Sequence, residues 1–193
     1  RKYGFEKKGP DFYTIVTLEN SFHGRTITTL SATGQDHYHE LFQPLTPGFV
    51  HTPANDFEAL KECALKNKAC VMIECVQGEG GVIALDSDFV KKLAVFAKEE
   101  DILLIIDEVQ TGNGRTGELY AYQNFGIQPD LVSTAKGIGG GLPLGAALFG
   151  EKVENIFGFG DHGSTFGGNP IACAGAISIF ERLNDEFLSS VKK

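Results

Sequence analysis

A carboxylate follows the most apolar run of the chain. Residues 102–106 are all apolar, and Asp107 comes directly after them. A carboxylate at the end of a buried strand needs a partner, because an unpaired buried charge is costly. Asp107 is therefore either a structural group, such as a helix cap or a salt-bridge partner, or a carboxylate that pairs with a ligand.

A single lysine stands between a second apolar run and a glycine-rich loop. Lys136 follows residues 130–134 and precedes a loop that holds Gly137 and the triplet at 139–141. An amine held near apolar strand ends loses charge stability and becomes available as a nucleophile toward a carbonyl. The alternative is a lysine whose stem packs while its charged head reaches water.

Two further segments carry ligand-binding groups. Within residues 20–26, Phe22 and Arg25 would offer one ligand a ring face and a fork for a carboxylate, although an aromatic staple and a surface arginine would explain the same pattern. Residues 162–170 bring hydroxyls and loop amides to a predicted helix N-terminus, which suits a phosphate. The four segments together supply the groups that pyridoxal phosphate requires, namely a Schiff-base lysine, a carboxylate for the pyridinium nitrogen, an aromatic lid and phosphate donors.

Short apolar runs alternate with amphipathic segments, and this pattern predicts an α/β fold with a mostly parallel sheet and helices on both faces. In such folds ligands bind at the carboxyl ends of the strands, where Asp107 and Lys136 stand. The predicted strands are residues 14–18, 49–52, 70–76, 102–107, 130–134 and 146–149.

Three helices are predicted from periodicity and capping residues. The first covers residues 56–66, with Asn55 as its N-cap and Glu58 as the capping-box partner. The second covers residues 87–100. The third begins after an Asn169 cap and is apolar on nearly every side, which predicts a buried helix.

Composition narrows the class of protein. The chain has 193 residues, 42% of them apolar, which is enough for one ordinary domain or two small ones. A net charge of −8 argues against nucleic acid and anionic membrane surfaces as partners. No run suits a membrane span or a secretory signal. The four cysteines lack Cys/His metal spacing, so we expect reduced, mostly buried thiols, no metal and a cytoplasmic location.

A glycine pattern offers a rival interpretation. Residues 112–117 match GxGxxG after a predicted strand, as in a nucleotide-binding dehydrogenase. No second strand that ends in an acid follows at the expected distance, and residues 158–163 match the pattern equally well. A non-catalytic protein built on the same fold is a second rival.

Seven segments, in order along nearly the whole chain, resemble the class III aminotransferases, and most closely their acetylornithine-type branch. They are residues 21–26, 74–81, 107–112, 114–117, 134–137, 139–143 and 163–170. The spacing between Asp107 and Lys136 agrees with the family pattern. The resemblance implies the fold of the large domain of fold-type I pyridoxal-phosphate enzymes.

The resemblance also implies an activity. It is the transfer of an amino group from N-acetylornithine, or a related ω-amino donor, to 2-oxoglutarate in arginine biosynthesis. Residues 22–35 and 45–49 favour acetylornithine by their likeness to that branch. Ornithine and 4-aminobutyrate, the donors of related branches, remain open as alternatives.

Roles for individual residues follow from the same resemblance. Lys136 would hold the cofactor as a Schiff base and carry the proton during transfer, and Asp107 would pair with the pyridinium nitrogen. Phe22 would stack on one face of the ring, Val109 would press on the other, and Gln110 would hydrogen-bond the phenolic oxygen. The full set assigned to the cofactor is Phe22, His23, Asp107, Val109, Gln110, Lys136, Ser164 and Thr165.

The remaining roles concern the substrate and a second subunit. Arg25 would bind a substrate carboxylate. Glu79 would act as a gate that switches the site between the amino donor and 2-oxoglutarate. Ser164 and Thr165 would reach the phosphate of the cofactor in the partner subunit of a homodimer.

Members of this family are longer than the present chain. The resemblance implies that residues 1–193 are an incomplete pyridoxal-phosphate-binding large domain, without the N-terminal segment that cups the phosphate and without the C-terminal small domain. Cys75 departs from the proline that the family usually has there.

Overall fold

The computed structural model of the chain describes residues 1–192. Contacts between residues divide the chain into two compact units. The first unit is Arg1–Ile106 and the second is Asp107–Lys193.

The first unit is built on parallel strands. Its strands are β1 (Ile15–Leu18), β2 (Phe49–Thr52), β3 (Cys70–Ile73), β4 (Val76–Gln77), β5 (Ile83–Ala84) and β6 (Leu104–Asp107), whose last residue begins the second unit. The strand β1 pairs in parallel with β2 and β3, and β3 pairs in parallel with β6. The predicted strand over residues 70–76 ends earlier, because β4 leaves the sheet to form an antiparallel hairpin with β5.

Four helices accompany these strands. They are α1 (Lys2–Lys8), α2 (Ile27–Ala32), α3 (Phe57–Lys66) and α4 (Ser87–Glu99). As the periodicity predicts, α3 buries Leu60 and Ala64, and α4 buries a stripe that includes Phe89 and Leu93. These side chains join the apolar residues of β1, β3 and β6 in one core.

The N-cap of α3 differs from the prediction. Asp56, not Asn55, caps the helix, and its Oδ1 accepts a hydrogen bond from the Ala59 amide at 3.0 Å. Asn55 has a left-handed backbone with φ of 63°, and its Oδ1 accepts from the Asp86 amide at 2.9 Å. Its side chain is therefore engaged by a distant part of the chain.

In its described part, residues 107–192, the second unit contains one antiparallel strand pair and two α-helices. The strands are β7 (Leu131–Thr134) and β8 (Ala146–Phe149), and the helices are α5 (Pro170–Arg182) and α6 (Asp185–Val191). With three parallel pairs in the first unit, the prediction of a mostly parallel α/β fold is confirmed.

The start of α5 is predicted correctly, but its burial is not. The Asn169 side chain accepts from the amides of Ile171 and Ala172 at 3.0 and 3.2 Å, as an N-cap does. Only Ala172 and Ala176 are buried on this helix, whereas Ile171 and Ile177 are exposed. The expectation of a buried helix is wrong for the described residues, because only one narrow face of α5 packs within its unit.

The GxGxxG match at residues 112–117 does not open an α-helix. These residues form successive turns, and the next helical element is the short 3-10 helix Ala121–Phe125. A dinucleotide fingerprint needs a helix N-terminus directly after its glycines to hold the pyrophosphate. The local structure therefore lacks the feature by which a dehydrogenase would use this pattern.

Candidate active site

Asp107 is a buried and firmly held carboxylate. Its side chain is 7% exposed, and Oδ1 accepts hydrogen bonds from the Val109 amide at 3.0 Å and the Ser133 hydroxyl at 3.1 Å. Ser133 lies on β7, three residues before Lys136. These two donors fix the orientation of the Asp107 carboxylate.

The side chain of the neighbouring Glu108 connects the segment after Asp107 through hydrogen bonds. Its side chain is fully buried, Oε2 accepts from the Thr111 hydroxyl at 2.5 Å, and Oε1 accepts from the Tyr122 amide at 2.9 Å. Burial raises the pKa of Glu108 above its ordinary value. With Glu108 turned inward, Val109 is half-buried and Gln110 is exposed, so both remain accessible to a ligand.

Lys136 opens a short 3-10 helix, Lys136–Gly139, in a left-handed backbone with φ of 48°. Its side chain is exposed rather than enclosed by apolar strand ends as expected. The helix α5 packs closely on this turn, because a Cβ at Gly175 would lie 3.0 Å from the carbonyl oxygen of Gly139. The packing of α5 therefore supports the turn in which Lys136 has its strained backbone conformation.

In the first unit, the predicted pair Phe22 and Arg25 comes together with a third residue. The Arg25 guanidinium lies 4.7 Å from the ring centroid of Tyr38 and 5.5 Å from that of Phe22. The two rings meet edge to face, with centroids 5.7 Å apart. Arg25 is itself exposed, so the N–H groups of its planar guanidinium can donate hydrogen bonds to a carboxylate.

A buried carboxylate that the sequence reasoning missed holds this aromatic segment. The Phe22 amide donates to Glu74 Oε2 at 2.9 Å, and Glu74 is 4% exposed. The His23 amide donates to the Thr33 hydroxyl, also at 2.9 Å. Glu74 directly follows β3, and that position at a strand end is the signal that could have identified it.

Glu79 lies at the exposed tip of the β4–β5 hairpin. The neighbouring Gly80 packs so closely that a Cβ there would be 2.6 Å from the carbonyl oxygen of Asn20. At the base of the hairpin, Gln77 Nε2 donates to the carbonyl oxygen of Glu19 at 2.8 Å. The hairpin thus fixes Glu79 beside the segment that carries Phe22 and Arg25.

Ser164 and Thr165 lie in an exposed loop that ends at the Asn169 cap of α5. The Gly167 amide donates to the carbonyl oxygen of Ser164 at 3.3 Å, which turns the loop. The loop that carries these two hydroxyls leads directly into the N-terminus of α5.

The residues of the second unit fit pyridoxal phosphate. A cofactor with a basic ring nitrogen and an aldehyde needs a fixed carboxylate and a reachable amine. Asp107 is immobilised by two donors, and Lys136 is exposed on the turn that follows β7. For comparison, residues 1–192 contain no group of three or more His, Cys, Asp or Glu side chains that could hold a metal ion.

Comparison with known proteins agrees with this chemistry. The model of the class-III aminotransferase family matches residues 1–192. The acetylornithine aminotransferase of Haemophilus ducreyi is 50% identical over 194 aligned residues, which cover 100% of this chain and 49% of the relative. That of Aquifex aeolicus is 52% identical over 182 residues, which cover 94% of this chain and 48% of the relative.

Solved structures show the same relationship. The ornithine aminotransferase of Toxoplasma gondii matches 96% of this chain and 45% of its own, with a TM-score of 0.89 and 35% identity. An ω-transaminase of Thermomicrobium roseum matches 100% of this chain and 48% of its own, with a TM-score of 0.89 and 32% identity.

The chain belongs to the class III aminotransferase family, which depends on pyridoxal phosphate. It spans about half the length of the curated relatives that it matches. Among residues 1–192, none of the helices combines the length and the apolar character that a membrane-spanning segment requires.

Proposed function

We propose that the protein containing this chain is an acetylornithine aminotransferase, which transfers an amino group from N-acetylornithine to 2-oxoglutarate in arginine biosynthesis. The observation that carries the proposal is the alignment of the whole chain with relatives of that name at about half identity. The fixed carboxylate at Asp107 and the exposed amine at Lys136 supply the chemistry that such a transfer requires.

The cofactor, when bound, supplies an electron sink for the electrons that a substrate carbon leaves behind on losing its proton. Asp107 would pair with the ring nitrogen, since hydrogen bonds from the Val109 amide and the Ser133 hydroxyl fix the orientation of its carboxylate. Lys136 Nζ would hold the cofactor through its aldehyde, and it would supply the acid and base group that moves the proton of the substrate. Val109 would press on one face of the ring and Gln110 would hydrogen-bond the phenolic oxygen, and the family resemblance assigns the other face to Phe22.

Arg25 is proposed to bind the substrate carboxylate. Its guanidinium rests over Phe22 and Tyr38, which orient the fork without occupying its five N–H groups. Glu79 would gate the site from the hairpin tip. Ornithine is the second candidate donor, because solved ornithine aminotransferases share the fold at 35% identity.

A panel of amino donors with 2-oxoglutarate, applied to the complete protein, tests the choice of substrate. N-acetylornithine should have the highest kcat/KM among acetylornithine, ornithine and 4-aminobutyrate. Faster turnover of ornithine or 4-aminobutyrate would replace the proposed donor but leave the transaminase assignment intact.

The variant Lys136→Ala tests the reaction itself. Loss of the amine should reduce turnover at least about a thousandfold and remove the absorbance band that borohydride abolishes. Lys136→Arg is the matched control, since it keeps the positive charge but cannot form the Schiff base. Turnover near the wild-type level in either variant would contradict the proposed role of Lys136.

We further propose a homodimer in which Ser164 and Thr165 bind the phosphate in the partner subunit. Support comes from the exposure of the loop that carries them and of the neighbouring Phe159 and Phe166. Mixing Lys136→Ala subunits with Thr165→Val subunits should restore about one quarter of wild-type activity, because half of the random pairs would contain one intact site. Absence of restored activity would show that Thr165 serves its own subunit.

A cytoplasmic location is also a proposal. All four cysteines are free thiols, as a reducing compartment would keep them. The expectation that most of them are buried is wrong, because only Cys75 is buried. Fractionation of source cells with an antibody to the complete protein is the test.

A further inference from the structure

Asn113 stands in the turn region at residues 112–117, where its backbone is left-handed with φ of 58°. Asparagine tolerates this conformation better than most side chains. Its side-chain amide reaches across to the end of β7. Nδ2 donates to the Thr134 hydroxyl at 3.1 Å and to the carbonyl oxygen of Ala135 at 3.2 Å.

The orientation of this amide is determined by its partners. Nδ2 has two hydrogens, and both are used. With the amide reversed, its oxygen would face the carbonyl oxygen of Ala135, which cannot donate. In the observed orientation Oδ1 is buried without a hydrogen-bond partner among residues 1–192. The two donor bonds are thus maintained although a buried acceptor is left unsatisfied, which is unfavourable.

The contacted carbonyl controls the backbone of Lys136. The Ala135 oxygen and the Lys136 nitrogen belong to one planar peptide unit, so fixing the oxygen fixes the plane. The Ala135 oxygen also accepts from the Ile138 amide at 3.2 Å, which closes the short helix after Lys136. The side chain of Asn113 is therefore a second donor, besides the Ile138 amide, that fixes the peptide plane between Ala135 and Lys136.

A contact on the other side of Lys136 completes the arrangement. A Cβ at Gly137 would lie 3.4 Å from the Cβ of Asn113, so the asparagine packs along the backbone on both sides of the lysine. Lys136 itself has a φ of 48°, a conformation that a lysine keeps only where its surroundings impose it.

We propose that Asn113 is a positioning residue for Lys136, and that it sets the direction in which the lysine side chain leaves its turn. The inference rests on the proposed function, since it assigns the lysine a reaction to be positioned for. Asn113 touches neither substrate nor cofactor in this role, and it acts through the Ala135 peptide.

The test uses the complete holoenzyme and the variant Asn113→Gly, which accepts the left-handed backbone but lacks the amide. We expect kcat to fall about ten- to a hundredfold with little change in KM, because a misdirected lysine slows proton transfer more than substrate binding. The pH titration of the absorbance band of the Lys136-bound cofactor should shift as well. In the apo form, amide hydrogen exchange should increase at residues 135–138.

Asn124→Ala is a matched control. Asn124 Nδ2 makes the same kind of bonds, to the Thr116 hydroxyl at 3.1 Å and the Ala121 carbonyl oxygen at 3.2 Å, on the neighbouring 3-10 helix. Loss of these bonds should lower stability without changing the absorbance titration. If Asn113→Gly does not fold, Thr134→Val removes one of the two acceptors and should give a smaller loss of kcat with the same shift in the titration.

The inference is overturned if Asn113→Gly, or Thr134→Val in its place, keeps the wild-type kcat and titration. It is also overturned if Asn113→Gly loses only as much activity as Asn124→Ala. A wild-type holoenzyme without transaminase turnover would instead overturn the proposed function.

Discussion

The two units of the chain are stabilised in different ways. In the first unit the strands and α4 bury aliphatic and aromatic side chains in a continuous core. In the second unit few apolar side chains are buried among the described residues, and Phe159, Phe166 and Ile171 are exposed. Its order comes instead from hydrogen bonds, a cap and close backbone approaches. The stability of the unit that carries Asp107 and Lys136 therefore depends more on hydrogen bonds and close backbone packing than on buried apolar side chains.

The largest expected loss of stability follows a change in the first unit. Leu93 is fully buried on α4, and Leu93→Ala should reduce the free energy of unfolding by about 2–5 kcal/mol through lost burial and a residual cavity. Urea denaturation measures this loss. Val95→Ala, at a position on the same helix that is 57% exposed, is the control and should change it by less than about 0.5 kcal/mol. Similar losses in both variants would contradict the core described for this unit.

In the second unit, Gly175→Val should reduce the free energy of unfolding by about 1–3 kcal/mol, because its Cβ would lie 3.0 Å from the backbone carbonyl oxygen of Gly139. We also expect turnover to fall, since that carbonyl belongs to the turn of Lys136. Ala174→Val, at the neighbouring exposed position of α5, should preserve both properties. Thermal unfolding and kcat measurements separate the two effects, and unchanged kcat in Gly175→Val would contradict the packing of α5 on this turn.

The pH dependence of stability should have opposite signs in the two units. In the first unit, burial and the neighbouring His39 lower the pKa of His51 below 6.5. The folded state then binds fewer protons than the unfolded state, so stability is full above about pH 6.5 and falls as pH drops through the lowered pKa, by at most about 1.4 kcal/mol per pH unit. His51→Gln should remove this dependence, as measured by unfolding between pH 7.5 and 5.

In the second unit, burial raises the pKa of Glu108 above 4.5. The folded state binds more protons than the unfolded state, so stability is full below about pH 4.5 and falls as pH rises through the raised pKa, again by at most about 1.4 kcal/mol per pH unit. Glu108→Gln should flatten this part of the profile, because the amide oxygen still accepts from Tyr122 and the Thr111 hydroxyl can turn to accept. A profile identical to that of the wild type would show that Glu108 ionises normally.

The smallest effects should come from the caps. Asp56→Ala and Asn169→Ala should each cost about 1 kcal/mol, because each removes a side-chain acceptor for amides at a helix start. Only Asn169→Ala should also reduce turnover, since it loosens the start of α5, which packs on the turn of Lys136. Equal losses of turnover in the two variants would contradict the proposal that only the cap of α5 supports the turn of Lys136.

Much of the fold was predictable because its signals are local. The apolar runs predicted β2 and β8 to the residue, and periodicity predicted α3 and α4 within a residue or two. The N-cap of α3 was mispredicted, since Asn55 bonds to Asp86, far along the chain. The expected burial of α5 was wrong because side-chain composition does not show which faces of a helix are covered.

The candidate site was predictable in part for the same reason. Asp107 and Lys136 were identified by their places after apolar runs, and Phe22 with Arg25 by their spacing. Glu74 and Asn113 were missed because their partners are 52 and 21 residues away along the chain. A hydrogen bond between such distant residues leaves no pattern in a local window.

By itself, the order of residues predicted most of the strands and helices and the side chains that are candidates for the chemistry, because these signals depend on near neighbours along the chain. Only the tertiary structure decided how that chemistry is held. The strained backbone of Lys136, the immobilised carboxylate of Asp107 and the inward turn of Glu108 are imposed by contacts that exist only after the chain has folded.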